Sequence, residues 1–225
     1  MNYPKTQRRR LAGAKVQVGK SWGLIHPDRW QALAQLDPAG VFLDVGCARG
    51  SYVERLRAMG RTAWGTDLLL YTTWVSRPHC FQSDAPYLPI VSHSVDYLFA
   101  FEVLEHISQP LSVLREFKRV TRQNLILPVP NCEVPSALRR AGLTFHHYVD
   151  PTHTNFSTSQ SLHQAVTAAG FRVESVRLIN PVLPELLTFA AWRMPNQLAS
   201  RLARLLQQVP GRCQFYLTIL LAASA

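Results

Sequence analysis

FLDVGCARGSY, residues 42–52, runs from a short apolar segment into a loop with glycines at 46 and 50, then into a stretch that reads as a helix from Ser51 to Met59. A strand, a glycine loop and a helix in that order place backbone N–H groups and a helix N-terminus around a ligand. Spacing narrows the choice of ligand. A dinucleotide fingerprint needs a third glycine where Ser51 or Tyr52 stands, and a phosphate loop of the Gly-Lys-Ser or Gly-Lys-Thr kind is absent. The pattern left is Asp44-x-Gly46-x-Ala48-x-Gly50, with alanine in the place of a middle glycine. One extra methyl is tolerated where the backbone does not require a positive φ, and that is the expectation for Ala48.

Outward from this loop, short apolar runs alternate with amphipathic ones. Strands are predicted over 41–45, 62–66, 79–83, 95–101, 124–129, 171–179 and 213–222, the fifth of them ended by prolines. Between them, 109–122 carries Leu111, Leu114, Phe117 and Val120 at helical spacing with Arg and Lys opposite. Residues 157–170 open on a Ser-x-x-Gln capping box and close on Gly170. Strands alternating with helices predict an α/β fold. The expected architecture is a Rossmann-like, doubly wound, mostly parallel seven-stranded sheet, with an antiparallel last strand and a helical insertion before it. Its 225 residues suit one domain, divided into a basic extension and lead-in helix (1–37), a ligand-binding core (38–180), the insertion (181–212) and the last strand (213–225). In the insertion, Leu198, Leu202, Leu205 and Val209 share one face and Arg201, Arg204 and Gln208 the other. Such a helix serves as a core or dimer element; the pattern also suits one that rests on a membrane or caps an apolar substrate.

Sheets of this kind bind ligands at the carboxyl ends of their strands. That rule selects Gly46 to Gly50, Asp67, Asp84, Phe101 to His106, and Asn131 to Glu133. Composition sets the wider limits: 47% hydrophobic and 17% charged residues make a globular balance, and no apolar run reaches the roughly 20 residues of a membrane span. The N-terminus is basic without the apolar centre of a signal peptide, so a cytoplasmic location is expected. Cys47, Cys80, Cys132 and Cys213 form no CxxC pair, which points to free thiols rather than to a zinc site or a disulfide framework. The net charge of +10 lies at the ends: residues 1–27 hold six Lys or Arg and residues 186–225 four Arg, with no acid in either. Excess charge placed there suits an anionic surface, whether nucleic acid, lipid headgroups or an acidic substrate, or simply aids solubility.

With Asp67 in GTDL and Asp84 in QSDAPYLPIVSHSVDYLFAFEVLEHI added, the loop resembles motif I of the class I S-adenosylmethionine-dependent methyltransferases, of the type 11 and type 23 domain kind. The similarity runs over roughly 40–180, through PLSVLREFKRVTRQNLILPVPN and DPTHTNFSTSQSLHQAVTAAGFRVESV. It implies S-adenosyl-L-methionine as cofactor, a phosphate-free ligand for which Ala48 is an acceptable variation. The implied contacts are Asp44, Gly46, Cys47, Ala48, Gly50, Tyr52, Asp67 (ribose hydroxyls), Leu68 (adenine face), Asp84 and Ala85 (adenine edge), Phe101 and Glu102. Arg49 points either to solvent or across the cleft to an acid group. For a protonated acceptor a base is needed, and His106 and His153 rank ahead of His146 and His147 because each follows a strand-end motif. No metal is assigned, although Glu102, Glu105 and His106, read as one helical turn and joined by His146, His147, Asp150 or His153, form a donor set similar to that of metal-using RNA 2'-O-methyltransferases and quinone O-methyltransferases. Three functions follow: methyl transfer to oxygen or nitrogen of a small molecule, metal-assisted 2'-O-methylation of RNA, or a silent cofactor-binding scaffold. The oligomeric state stays open, a homodimer included.

Overall fold

Strand β1, Val41–Val45, is buried from Phe42 to Val45 and takes a neighbour on each side. The computed structural model describes residues 25–140, 148, 150–183, 185–206, 208–209 and 215–225. Around β1 stand β2 (Thr62–Asp67), β3 (Cys80–Gln82), β4 (Val95–Phe99), β5 (Thr121–Pro130), β6 (Arg172–Val182) and β7 (Phe215–Ser224), in the order β3-β2-β1-β4-β5-β7-β6. The first five run parallel, and β7 is antiparallel to both of its neighbours. This is the seven-stranded Rossmann-like sheet expected from the alternation of patterns.

Two helical layers close it. On one face α3 (Pro110–Val120) and α5 (Ser159–Ala168) bury Leu114, Phe117, Val120, Leu162 and Val166 against Leu43, Leu98, Leu125 and Leu221. On the other, α1 (Pro27–Ala34) and α2 (Ser51–Ala58) bring Leu33, Val53 and Leu56 onto Phe42, Phe99 and Ile126. The capping box of α5 sits one residue later than predicted. Thr158 Oγ1 accepts from Ser161 N (3.1 Å), and Ser161 Oγ accepts from Thr158 N (2.9 Å). Ser157 is buried instead, its carbonyl accepting from Cys132 N at 2.8 Å. Gly170, at φ +96°, ends the helix as expected.

Strand β5 does not stop at its prolines. Pro128 and Pro130 lie within it, opposite Leu220 and Thr218 of β7. Bonds from Asn131 N to Leu217 O (2.8 Å) and from Ala225 N to Gln123 O (2.6 Å) show that odd-numbered residues of this strand face β7. Ala100 N to Ile126 O (3.2 Å) and Glu102 N to Pro128 O (3.3 Å) show that even-numbered ones face β4. Both prolines therefore lack an N–H only on the β4 side, where pairing ends at Phe99 opposite Ile126. Beyond that pair, the bond from Glu102 N to Pro128 O still joins the two segments.

The insertion holds α6 (Glu185–Ala191) and α7 (Asn196–Leu206), with the short α4 (Ser136–Arg140) elsewhere after β5. Phe189, Ala199 and Ala203 form a small core of their own with Leu183, Leu186, Met194 and Leu202. Of the leucine face predicted for α7, Leu202 joins that core, but Leu198, Leu205 and the following Val209 point outward. The small side chains of Ala199 and Ala203 let the two helices approach closely, and this turns the larger residues away.

Arg61 fixes α1 to this frame. It is buried, crosses the Phe42 ring at 5.3 Å, and donates to Leu33 O (3.0 Å) and Ala34 O (3.1 Å), the last carbonyls of that helix. Arg61→Ala is expected to lower stability by about 2–3 kcal/mol in urea denaturation, since two charge-assisted bonds and their packing are lost. Arg61→Lys should recover less than half, because an ammonium cannot reproduce the planar fork.

Candidate functional site

The loop after β1 is folded by its own hydrogen bonds. Gly46 N (2.7 Å) and Cys47 N (3.0 Å) both donate to Thr66 O, Gly50 N donates to Cys47 O (2.7 Å), and Ala48 N donates to Asp67 Oδ2 (2.9 Å). Trp74 Nε1 holds the Ala48 carbonyl at 2.9 Å. The amides of Gly46, Cys47, Ala48 and Gly50 are thus spent internally, so the loop before the helix start is not itself an open nest for phosphate. Gly46 and Gly50 have φ of +80° and +78°, and a Cβ on Gly46 would meet Val103 Cγ2 at 2.3 Å. Ala48 corrects the sequence reading: it too is left-handed, at φ +46°. The bonds to Asp67 and Trp74 hold it in a region that costs a non-glycine residue about 1 kcal/mol or more. Arg49 is exposed, and its carbonyl accepts from Arg77.

Asp67, at the end of β2, is half-buried. Its Oδ1 accepts from Leu69 N (2.9 Å) and its Oδ2 from Ala48 N, which leaves lone pairs on both oxygens for further donors. Burial raises its pKa, opposed by these N–H bonds. Asp44 is buried beneath the loop, and burial, then the charge of Asp67, pushes its carboxyl well above the usual range. Leu68 is half-buried, its carbonyl accepting from Gln82 Nε2 at 2.8 Å. Asp84 and Ala85 follow β3, with Asp84 bridged to Tyr87 and Ala85 packed on the core. Cys47 turns its thiol into the core beside Gly65. Proximity to Cys80 and then burial drive its pKa far upward.

Tyr52, Phe101 and Glu102 meet at the end of β4. Tyr52 stands edge-on to Phe101 with centroids 4.8 Å apart, and Glu102 has φ +56°. Two residues that sequence reasoning missed complete this corner. Arg29 of α1 pairs with Glu102 and lies over the Phe101 ring at 5.6 Å, while His26 N donates to Tyr52 Oη at 2.9 Å. Nothing in the sequence separates Arg29 from the other basic residues; only the docking of α1 does.

Glu105 and His106 lie on a 3-10 turn, Leu104–His106, with Glu102 outside it, so the three are not on one helical turn. Glu102 is taken by Arg29, and His153 comes across instead. One ligand atom each of Glu105, His106 and His153 lie within 4.8 Å of one another. Glu105 is 3% exposed, its carboxylate oxygens have no hydrogen-bond partner, and burial followed by Glu102 pushes its pKa well upward. Thr152 Oγ1 donates to Asp150 Oδ1 (2.7 Å), so the contact between Thr152 Oγ1 and His106 Nδ1 (3.0 Å) makes Nδ1 the protonated nitrogen. The other nitrogen, Nε2, keeps its lone pair. His146 and His147 lie outside the described residues. Asn131 is committed to structure through Tyr216 O (3.0 Å) and Glu133 N (3.1 Å). Glycine at 48 should relieve the left-handed strain, so Ala48→Gly is expected to hold or raise stability by up to about 1 kcal/mol in denaturant titration, and a loss of that size contradicts this account.

A model of the family described as a methyltransferase domain matches residues 24–176. The fold is similar to that of a SAM dependent methyltransferase from Archaeoglobus fulgidus, with a TM-score of 0.64 and 16% identity over 88% of this chain and 91% of that one. It is also similar to an S-adenosylmethionine dependent methyltransferase from Mesorhizobium loti (TM-score 0.60, 16% identity, 88% and 97% covered). A third likeness is to Haemonchus contortus phosphoethanolamine N-methyltransferase 2 in complex with S-adenosyl-L-methionine (TM-score 0.58, 14% identity, 88% and 51% covered). No curated protein matches the sequence. At these identities the neighbours show the fold, and the domain model, covering more than half of the chain, shows the family. The chain belongs to the methyltransferase-domain family, and it is a class I S-adenosyl-L-methionine-dependent methyltransferase.

Proposed function

We propose that this enzyme methylates an oxygen or nitrogen of a small-molecule acceptor, with His106 as the base where that atom carries a proton. The observation that carries the reading is the bond from Ala48 N to Asp67 Oδ2, which sets a half-buried carboxylate with spare lone pairs against a loop whose own amides are already bonded. Asp67 takes the ribose hydroxyls. Leu68, Asp84 and Ala85 border the adenine, and Gly46, Cys47, Ala48 and Gly50 form the floor through their backbone. Tyr52, Phe101 and Glu102 line the methionine end, and Asp44 supports the loop from below. The bound cofactor supplies a methyl group already activated on a sulfonium, so the protein's main task is to align it with the acceptor. His106 accepts the acceptor's proton at Nε2, oriented through Nδ1 by Thr152 and Asp150. Burial, and then His153 with ring centroids 4.8 Å away, favour the neutral form of that imidazole. A cytoplasmic setting suits Cys47, Cys80 and Cys132, none of which is in a disulfide.

Titration calorimetry should show S-adenosylmethionine binding that weakens at least about tenfold in Asp67→Ala, the effect of losing one charge-assisted contact. Labelled methyl offered with fractionated cell extract should enter the small-molecule fraction. Label in RNA would move the acceptor to nucleic acid, and no cofactor binding by folded protein would leave a silent scaffold. His106→Gln should cut turnover by about 10²–10⁴-fold on a hydroxyl acceptor. Burial, then His153, holds the His106 pKa below its ordinary 6.5. The active neutral form therefore persists as pH falls through 6.5, and the rate should drop only below that.

A second reading rests on the donor set of Glu105, His106 and His153, one carboxylate and two imidazoles, which would hold a divalent cation. Such an ion would polarise the acceptor hydroxyl. Elemental analysis of purified enzyme, together with activity in chelator, decides this: Glu105→Ala with full activity in chelator removes the reading.

A further inference from the structure

We propose that the α6–α7 hairpin is a docking surface for an anionic lipid membrane. Three arrangements carry this. First, α7 packs with its small side chains inward, Ala199 and Ala203, and leaves Leu198 (48% exposed) and Leu205 (60%) outside with Val209 (50%) beyond the helix end. Residues 198, 201 and 205 are spaced i, i+3 and i+7, so Arg201 sits on the same outward face between the two leucines. Second, the turn between the helices presents Trp192, 70% exposed, followed by the exposed Arg193. An indole at the tip of an amphipathic hairpin is suited to the boundary between headgroups and acyl chains. Third, Arg193, Arg201 and Arg204 are all exposed, and the one acid of the hairpin, Glu185 at the start of α6, is half-buried.

Charge chooses among the occupants. A second copy placed symmetrically on the stripe would bring Arg201 toward its own counterpart, an unfavourable like-charge contact. A lipid surface with anionic headgroups offers the opposite sign over its whole area, while its acyl region takes the leucines. Residues 1–24, with six Lys or Arg and no acid, add charge of the same sign to the chain. No described helix is long and apolar enough to cross a membrane, so the contact is peripheral.

The test is cosedimentation of the full-length protein with vesicles of phosphatidylcholine containing phosphatidylglycerol, and with vesicles of phosphatidylcholine alone. Binding to the first, weak binding to the second, and a blue shift of tryptophan emission that is absent in Trp192→Phe are expected. Leu198→Glu/Leu205→Glu, both outside the core, should weaken vesicle binding at least about tenfold, since two apolar side chains no longer enter the lipid. The milder Leu198→Ala/Leu205→Ala should weaken it less, and circular dichroism and a thermal melt confirm folding of both. The proposal is overturned if wild-type protein does not sediment with anionic vesicles. It is overturned equally if Arg8→Ala/Arg9→Ala/Arg10→Ala abolishes binding while the leucine variants bind as wild type, or if light scattering shows a dimer that the leucine variants dissociate.

Discussion

One carbonyl holds the site together. Thr66 O accepts both Gly46 N and Cys47 N, and that pair of bonds joins the end of β1 to the penultimate residue of β2. The loop is thereby folded back over the sheet rather than carried straight into α2. Ala48 comes to lie against Asp67, Cys47 points down to Gly65, and α2 starts where Tyr52 can reach Phe101. The glycines at 46 and 50 are needed for this reversal, and so is the strain at Ala48. A ligand meeting the loop finds a surface already hydrogen-bonded to itself, with the Asp67 carboxylate as its polar edge. That distinguishes it from a phosphate cradle more directly than the count of glycines does.

Much of this was legible in the chain. The apolar runs at 41–45 and 95–101 became strands because residues buried on both faces need continuous hydrophobicity, while 62–66 alternates exposed and buried side chains instead. The residues selected lie at or just after the carboxyl ends of the first five strands. The conformation of Ala48 was not legible, because a residue's φ is set by partners such as Trp74 that lie far along the chain. The Glu102–Glu105–His106 cluster was drawn on a helix, but a 3-10 turn with Glu102 left-handed replaces Glu102 by His153. Periodicity put Leu198, Leu202, Leu205 and Val209 together and Arg201 opposite, but Leu202 turns into the small core and the other three stay exposed with Arg201 beside them. Helix spacing reports that residues share a face; only the partner, here α6 meeting two alanines, decides whether that face is buried.

The electrostatics of the cleft are asymmetric. Asp44 and Glu105 are both deep and both driven toward their neutral forms, the first beneath the loop and the second beneath His106. Glu102 and Asp67 keep contacts with Arg29 and with backbone N–H groups, respectively. The lead-in helix therefore supplies the cation at the mouth of a site whose other named groups are mostly carboxyls and imidazoles. Arg61, which anchors the far end of that helix, belongs to the site's architecture although it touches none of its residues.

Strand β5 shows how one side of a ladder can be thinned by missing atoms. Pro128 and Pro130 keep the full ladder with β7 and withhold a donor only toward β4. A binding site is usually described by the groups it offers, but the β4 side of this strand is thinned by two donors that cannot be offered, since a ring carbon occupies the place of each hydrogen. The loss of those two donors is thus a covalent property of the chain, independent of any ligand, of pH, and of the packing on either face.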